Sequence, residues 1–345
     1  MSRHVNIPIF IPHLGCPNQC VFCNQRTISG VKSFNPDDVD RIIRESLSTV
    51  EKNAEVEIAF FGGSFTGIDR QLMTDLLDRA YEYVKRGLVQ SIRCSTRPDY
   101  IDEEVLTILG ERGVRVIELG LQSSSDSVLA LCKRGHDREC EVRACRMIVE
   151  HGFTLVGQMM IGLPGSTSMS ELECAEMIIS LGAKAARIYP TVVFRDTELC
   201  SMAQAGEYRA LTIDEAVERS ARVFDAFIKN GVEVIRIGLC ASDNLGDPST
   251  YYSGPNHPAL GEMVINKYYL DKIRLEADKI PPSDRHILKV KVPTGHISKA
   301  VGQNKRNKLL LARLSGVLEV RFTECDQLKP FEVAVSGDAG ELKCI

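Results

Sequence analysis

Asn6-Ile-Pro-Ile-Phe-Ile11-Pro-His13-Leu-Gly-Cys16-Pro-Asn-Gln-Cys20-Val-Phe-Cys23 carries an apolar run that breaks into three closely spaced cysteines. The run 6–11 has the composition of a buried strand, and the cysteines follow it on a loop. Outward from this stretch, further apolar runs at 56–61, 89–94, 115–121, 154–161, 184–189 and 232–238 alternate with amphipathic helical segments. Asn35 before Pro36 marks a helix start. Ser168 with Glu171, and Thr212 with Glu215, have the spacing of capping boxes. Regular βα alternation predicts a parallel sheet closed or covered by helices, as a full or partial βα barrel or an open doubly wound sheet. In either architecture, functional groups gather at the carboxyl ends of the strands.

The strand ends carry unusual residues. The first run leads into Cys16, the second into Phe61-Gly62-Gly63-Ser64, and the third into Ser95-Thr96-Arg97-Pro98. The fourth closes on Glu118-Leu-Gly120-Leu-Gln122-Ser123, the fifth on Gly162-Leu-Pro164-Gly165, the sixth on Tyr189-Pro190. Any one glycine is explained by a turn. The set predicts one shared site.

Three thiolates at CxxxCxxC spacing let a short loop present sulfur to three irons of a cube. Iron–sulfur clusters ordinarily take four cysteines, so three leave one iron open to an exogenous ligand. Structural zinc is the alternative, with His13 as fourth ligand, although zinc knuckles usually come in pairs. Cys94, Cys132, Cys140, Cys145, Cys174 and Cys200 are dispersed and read as small core residues.

Composition narrows the function classes. The chain has 345 residues, 44% of them hydrophobic, and a formal net charge of -4, so it has no global attraction for nucleic acid or anionic lipid. No apolar stretch approaches the roughly 20 residues needed to span a bilayer, and residues 1–6 do not read as a signal peptide. A cytoplasmic protein without membrane contact is expected. The 12 cysteines do not form the framework of a small secreted domain.

The CxxxCxxC loop after the first strand resembles that of the radical S-adenosylmethionine (SAM) superfamily. The resemblance implies a partial βα barrel, a [4Fe–4S] cluster on Cys16, Cys20 and Cys23, and SAM as the exogenous ligand. It further implies reductive cleavage of SAM to a 5′-deoxyadenosyl radical, fed by an electron donor of the flavodoxin or ferredoxin type. Phe22 would shield the cluster. Gly62-Gly63-Ser64 resembles the glycine motif that meets the SAM amino group, and lack of a Cβ permits that approach. Gln122 and Arg134 match SAM-contacting positions, an arginine fork suiting a carboxylate. Gln158, four residues before Gly162, matches a ribose-binding position. A narrower resemblance covers Ser95-Thr-Arg97-Pro98-Asp99-Tyr, Arg134-Gly-His136 and Arg187-Ile-Tyr189-Pro190-Thr191-Val-Val-Phe-Arg195-Asp-Thr197. These look like the radical SAM half of the Elongator catalytic subunit, a family that modifies tRNA wobble uridines. Here Ser95 replaces that family's Glu, the first cysteine gap is shorter, and the acetyltransferase half has no counterpart.

The pattern changes after Leu239. Residues 240–258 read as loop, with Gly246-Asp-Pro248 and Gly254-Pro255 as breakers. A helix is expected at 259–279, then a small βαββ unit, KH-like or ferredoxin-like, with strands at 288–292, 318–322 and 331–335 and a helical stretch at 296–314. The expected division is 1–240 as barrel, 241–281 as connection and 282–345 as small domain. From Arg285 to Arg313 every charged residue is a cation. Lys299, Lys305, Arg306 and Lys308 flank Gly302, resembling the GxxG loop of KH RNA-binding modules with Lys305 in place of the second glycine. RNA modification, with tRNA as partner, is the leading expectation. A heme chaperone on the same fold lacks its tryptophan motif here, as the chain has no Trp. A radical SAM enzyme for a small molecule or porphyrin leaves the basic segment unexplained.

Overall fold

The computed structural model describes residues 4–11, 14–16, 20–24, 34–51, 53–239 and 249–338. His13 and the Gly246-Asp-Pro248 breakers lie outside the described residues. Seven parallel strands form the main sheet: β1 (His4–Ile11), β2 (Glu55–Gly62), β3 (Ser91–Thr96), β4 (Val114–Gln122), β5 (Thr154–Ile161), β6 (Ala185–Pro190) and β8 (Glu233–Ile237). They lie side by side in chain order, and each matches an expected run to within two residues. Both edge strands, β1 and β8, line one central cavity, so the sheet curls into an open barrel. β7 (Val193–Phe194) pairs antiparallel with β9 (Tyr251–Ser253). Neither was expected, because two or three residues carry no periodicity.

Alternation along each strand sorts the side chains. Ile7, Ile9, Ile58, Phe60, Ile92, Ile117, Leu119 and Ile188 are buried in the core shared with the helices. These include α1 (Val39–Thr49), α2 (Arg70–Lys85), α3 (Glu103–Glu111), α4 (Asp126–Leu131), α5 (Arg138–Glu150) and α6 (Ser168–Ser180). Next come α7 (Glu198–Gln204) and α8 (Ile213–Lys229). The intervening strand residues face the barrel interior, where parallel sheets are normally apolar. Val116, Val156 and Ala185, with Ile235, keep to that rule. Their neighbours do not, as described below.

Two expected caps need correction. Asn35 accepts from the Asp37 amide, but it caps a short 3₁₀ turn at Pro36–Asp38, and α1 begins after it. At α6, Thr167 and Ser170 form the capping box in place of Ser168 and Glu171. Glu171 instead turns inward, accepting from the Gly162 amide at 2.6 Å and pairing with Arg219. The box at Thr212 and Glu215 forms as expected.

Beyond the barrel, α9 (Leu260–Ala277) leads to a three-stranded sheet in the order β11-β10-β12. β10 (Ile287–Val292) is parallel to β11 (Glu319–Glu324) and antiparallel to β12 (Ala334–Ser336). The expected helical stretch divides into α10 (Ile297–Val301) and α11 (Arg306–Leu311) around Gly302. The last strand starts three residues late because Phe331 leaves the sheet with φ 71° and enters an aromatic cluster. Its ring lies 5.1 Å from Phe224 of α8 and 5.4 Å from His296, tying the small sheet to the barrel. Arg285 is a further correction: it is buried and donates to Ser315 O and Ala277 O, so it is no part of an exposed basic face.

Candidate active site

Backbone contacts fix the cysteine loop from three sides. Val21 N donates to Cys132 O at 3.2 Å, Leu199 N to Val21 O at 2.8 Å, and Cys23 N to Cys20 O at 3.0 Å. On the third side Gly15 presses on the loop after β2, where a Cβ would stand 1.8 Å from Ser64 O. Cys20 is buried, while Cys16 and Cys23 are half-buried. Burial pushes the Cys16 thiol up, opposed by the Arg97 guanidinium and a hydrogen bond from the Ser64 backbone.

All three cysteines line one cavity of about 760 Å³ at the carboxyl ends of the strands. Gly62 and Gly63 of the β2 end, Ser95, Thr96 and Arg97 of the β3 end, and Gly120 and Gln122 of β4 face the same space. Gln158 and Arg134 join them, and Asp196, Thr197 and Glu198 form the rim. Local backbone geometry aims these groups. Gly62 has φ 117°, and a Cβ there would meet Ile11 O at 2.8 Å. The β4–β5 register breaks between Gly120 and Gln122, and Gln122 takes φ 73°, a bulge that re-aims its side chain. Gln122 Oε1 is buried with no hydrogen-bond partner among the described residues. Arg134 Nη1 donates to Cys20 Sγ at 3.2 Å and Nη2 to Gly120 O at 2.5 Å.

A second, contiguous cavity of about 1190 Å³ runs down the barrel interior and shares Phe22, Cys23, Gly62, Ser95, Gln122 and Gln158 with the first. A belt of alternating charge crosses its wall. His4 contacts Glu57 at 2.8 Å, and Arg93 bridges Glu57 at 2.9 Å and Glu118 at 3.2 Å. Arg187 grips both Glu118 oxygens at 2.7 and 2.9 Å, and Gln158 Nε2 donates to Glu118 at 2.8 Å. Glu118 is 1% exposed, and only this many donors make a carboxylate tolerable at such depth. The Arg187 guanidinium also sits 5.7 Å from the centre of the Phe61 ring.

Cysteine thiols, a glycine loop and an arginine share one cavity at the open end of a parallel partial barrel. The radical SAM superfamily model matches residues 10–178, and the Radical_SAM C-terminal domain model matches residues 183–269. An uncharacterised protein of Methanocaldococcus jannaschii is 31% identical over 61% of this chain and 67% of its own length. The chain belongs to the radical SAM superfamily. Radical SAM proteins use a [4Fe–4S] cluster and SAM, and this one is an enzyme of that superfamily. A tRNA uridine(34) acetyltransferase of Methanocaldococcus infernus is 25% identical over 59% of the chain. Human Elongator complex protein 3 is 28% identical over 46% of it. The chain spans 46% of the former's length and 30% of the latter's. In fold it resembles the archaeal Methanocaldococcus infernus Elp3 with an N-terminal deletion, with a TM-score of 0.63, 22% identity and coverage of 79% of this chain and 64% of that one. No helix among the described residues is long and apolar enough to cross a membrane.

The residues fit the superfamily's cofactors. Thiols are the donors an iron–sulfur cluster takes. A cavity of about 760 Å³ is the size of a cofactor site, and an unpartnered amide oxygen faces it. Of the residues expected there, Ser64 stands apart. Its side chain is buried behind the cavity wall, 2.8 Å from Thr96 Oγ1 and accepting from Arg97 N at 3.3 Å. Lys299, Lys305, Arg306 and Lys308 lie on the small domain, away from the cavity. Sequence reasoning missed the charge belt. Its signal was present, as Arg93, Glu118 and Arg187 each interrupt an apolar strand run.

Proposed function

We propose that this enzyme holds its [4Fe–4S] cluster on Cys16, Cys20 and Cys23, binds SAM beside it, and modifies tRNA. The convergence of the three thiols with Gly62, Gly63, Gln122, Arg134 and Gln158 on one cavity carries the reading. When bound, the cluster and SAM together supply the superfamily's one-electron cleavage chemistry, fed by a flavodoxin- or ferredoxin-type donor. The protein's own residues bind and orient. Gly62 and Gly63 leave their backbone open to close approach, and the Gln122 amide oxygen accepts an N–H donor. Arg134 offers positive charge to a carboxylate, Gln158 offers an amide to a ribose, and Phe22 keeps water from the junction of the two cavities. The barrel interior then receives the substrate, its Glu118 belt holding the wall rigid.

Two observations support tRNA. Relatives matched over about half this chain are named for tRNA uridine(34), and the small domain exposes Lys305, Arg306 and Lys308 beside Gly302. Residues 1–240 would form the catalytic unit, 241–281 the connection and 282–345 the RNA-contacting domain, in a cytoplasmic protein. Anaerobic incubation with tRNA, SAM and reductant, followed by nucleoside mass spectrometry, should reveal one mass-shifted uridine. An unchanged nucleoside profile, together with no RNA co-purifying with the protein, would remove tRNA from the reading.

A further inference from the structure

Two motifs of the sequence, Arg97-Pro98-Asp99 and Arg134-Gly-His136, have companions of Arg134 that the cofactor site leaves unused. In the fold they form one chain of polar contacts behind the cysteine loop, buried at the side chains of Arg97, His136 and Glu141 and open to solvent at Asp99. Arg97 is 4% exposed, and its Nε and Nη2 grip the two Asp99 oxygens at 2.9 and 2.8 Å. Nη2 also donates to the Arg134 carbonyl, and Nη1 points at Cys20 Sγ from 3.9 Å. Asp99 Oδ1 lies 3.4 Å from His136 Nδ1, and His136 Nε2 lies 3.3 Å from Glu141 Oε1. The side chains of His136 and Glu141 are 1% and 0% exposed.

A partly buried chain of this kind is weak evidence for stability, since desolvation offsets much of its attraction. Its direction is more informative. Asp99, His136 and Glu141 line neither cavity, so they touch no cofactor or substrate there, yet their chain ends on a cysteine sulfur. That sulfur receives two guanidinium groups, from Arg97 and from Arg134. Pro98 starts the 3₁₀ turn Pro98–Tyr100 that presents Asp99, and Gly135 at φ 79° presents His136.

We propose that Asp99, His136 and Glu141 are positioning residues that hold Arg97 against Cys20, making Cys20 the ligand through which the protein sets the reduction potential of the cluster. The proposal rests on the assignment of Cys16, Cys20 and Cys23 as cluster ligands. Hydrogen bonds to sulfur and local net charge tune such potentials. Reduction takes one electron from an external low-potential donor and adds one negative charge at the cluster, so a nearby cation stabilises the reduced form. Loss of that cation lowers the potential.

The test is an electron paramagnetic resonance redox titration of the reconstituted full-length chain without SAM. Arg97→Gln should shift the reduction equilibrium about tenfold against the reduced cluster, about 59 mV more negative for one electron. Arg97→Lys restores the charge and should recover part of that shift. His136→Gln leaves every group near the sulfur unchanged and should still move the potential in the same direction, by less. A parent protein that takes up no cluster, or a Cys20→Ala variant that loads and titrates like the parent, would sink the cysteine assignment. Arg97→Gln and His136→Gln proteins that load four irons and titrate within about 10 mV of the parent would sink the positioning role alone.

Discussion

The barrel interior and the basic loop of the small domain are both rich in charge, and they use it in opposite ways. Inside the barrel, Glu57, Arg93, Glu118 and Arg187 are removed from water, and each is answered by a partner on another strand. On the small domain, Lys305, Arg306 and Lys308 are exposed and form no ion pair among the described residues. Buried, partnered charge gives rigidity and fixed direction, which a small polar cofactor and a reacting atom require. Exposed charge costs the fold little and is free to neutralise a large polyanion. Gly302 at φ 79°, followed by left-handed Asn304 and Lys305, turns the chain tightly between α10 and α11.

The comparison breaks most readily at Glu118. Glu118→Ala would strip Arg187 of its carboxylate partner in the interior and leave Arg93 with Glu57 alone. Removing one partner of a buried ion pair costs about 3–5 kcal/mol. Urea denaturation should show that loss. A loss below about 1 kcal/mol would mean the belt is wet and does not stiffen the wall.

A smaller effect comes from Glu141, whose carboxyl burial pushes up to about 7 from its usual 4.5, with His136 pulling the other way. Between those values the folded chain keeps a proton that the unfolded chain has released. The contribution to stability is therefore full below about pH 4.5 and is lost as pH rises through about 7. Glu141→Gln stays neutral at every pH and should lack that decline. Relative to the parent, the variant should gain up to about 3 kcal/mol between pH 5 and pH 8. Parallel stability curves across that range would show that Glu141 titrates normally.

On the exposed side, replacing Lys305, Arg306 and Lys308 together by Ala should leave stability within about 0.5 kcal/mol of the parent. It should flatten the salt dependence of tRNA binding by about two units, since three phosphate contacts at about −0.7 each sum to roughly −2. An unaltered slope would remove this loop from any RNA interface.

The difference between the two regions also governs what the sequence disclosed. The seven parallel strands were legible because each is an apolar run set between helical segments. The shared cavity was legible because glycines, cysteines and amides recur where those runs end. Pairings across the barrel were not. Glu118 and Arg187 are 69 residues apart, and only the order of the strands in the folded sheet, with β4 and β6 flanking β5, brings them together. Local signals failed where two candidates were adjacent, as with Thr167 and Ser168, because the capping choice depended on Arg219 drawing Glu171 inward. The Phe331 strand began late for a similar reason, its ring being captured by Phe224 and His296 from elsewhere in the chain. Arg285 joined the basic segment by sequence alone, but distant carbonyls claimed it.

The most direct test of the account is iron and sulfide analysis of anaerobically reconstituted protein, alongside 5′-deoxyadenosine release with dithionite and SAM. About four irons and four sulfides per chain are expected, with 5′-deoxyadenosine formed. Individual Ala replacements of Cys16, Cys20 and Cys23 should each abolish both. Stoichiometric zinc without iron, or full cluster content retained in all three variants, would contradict the account at its centre.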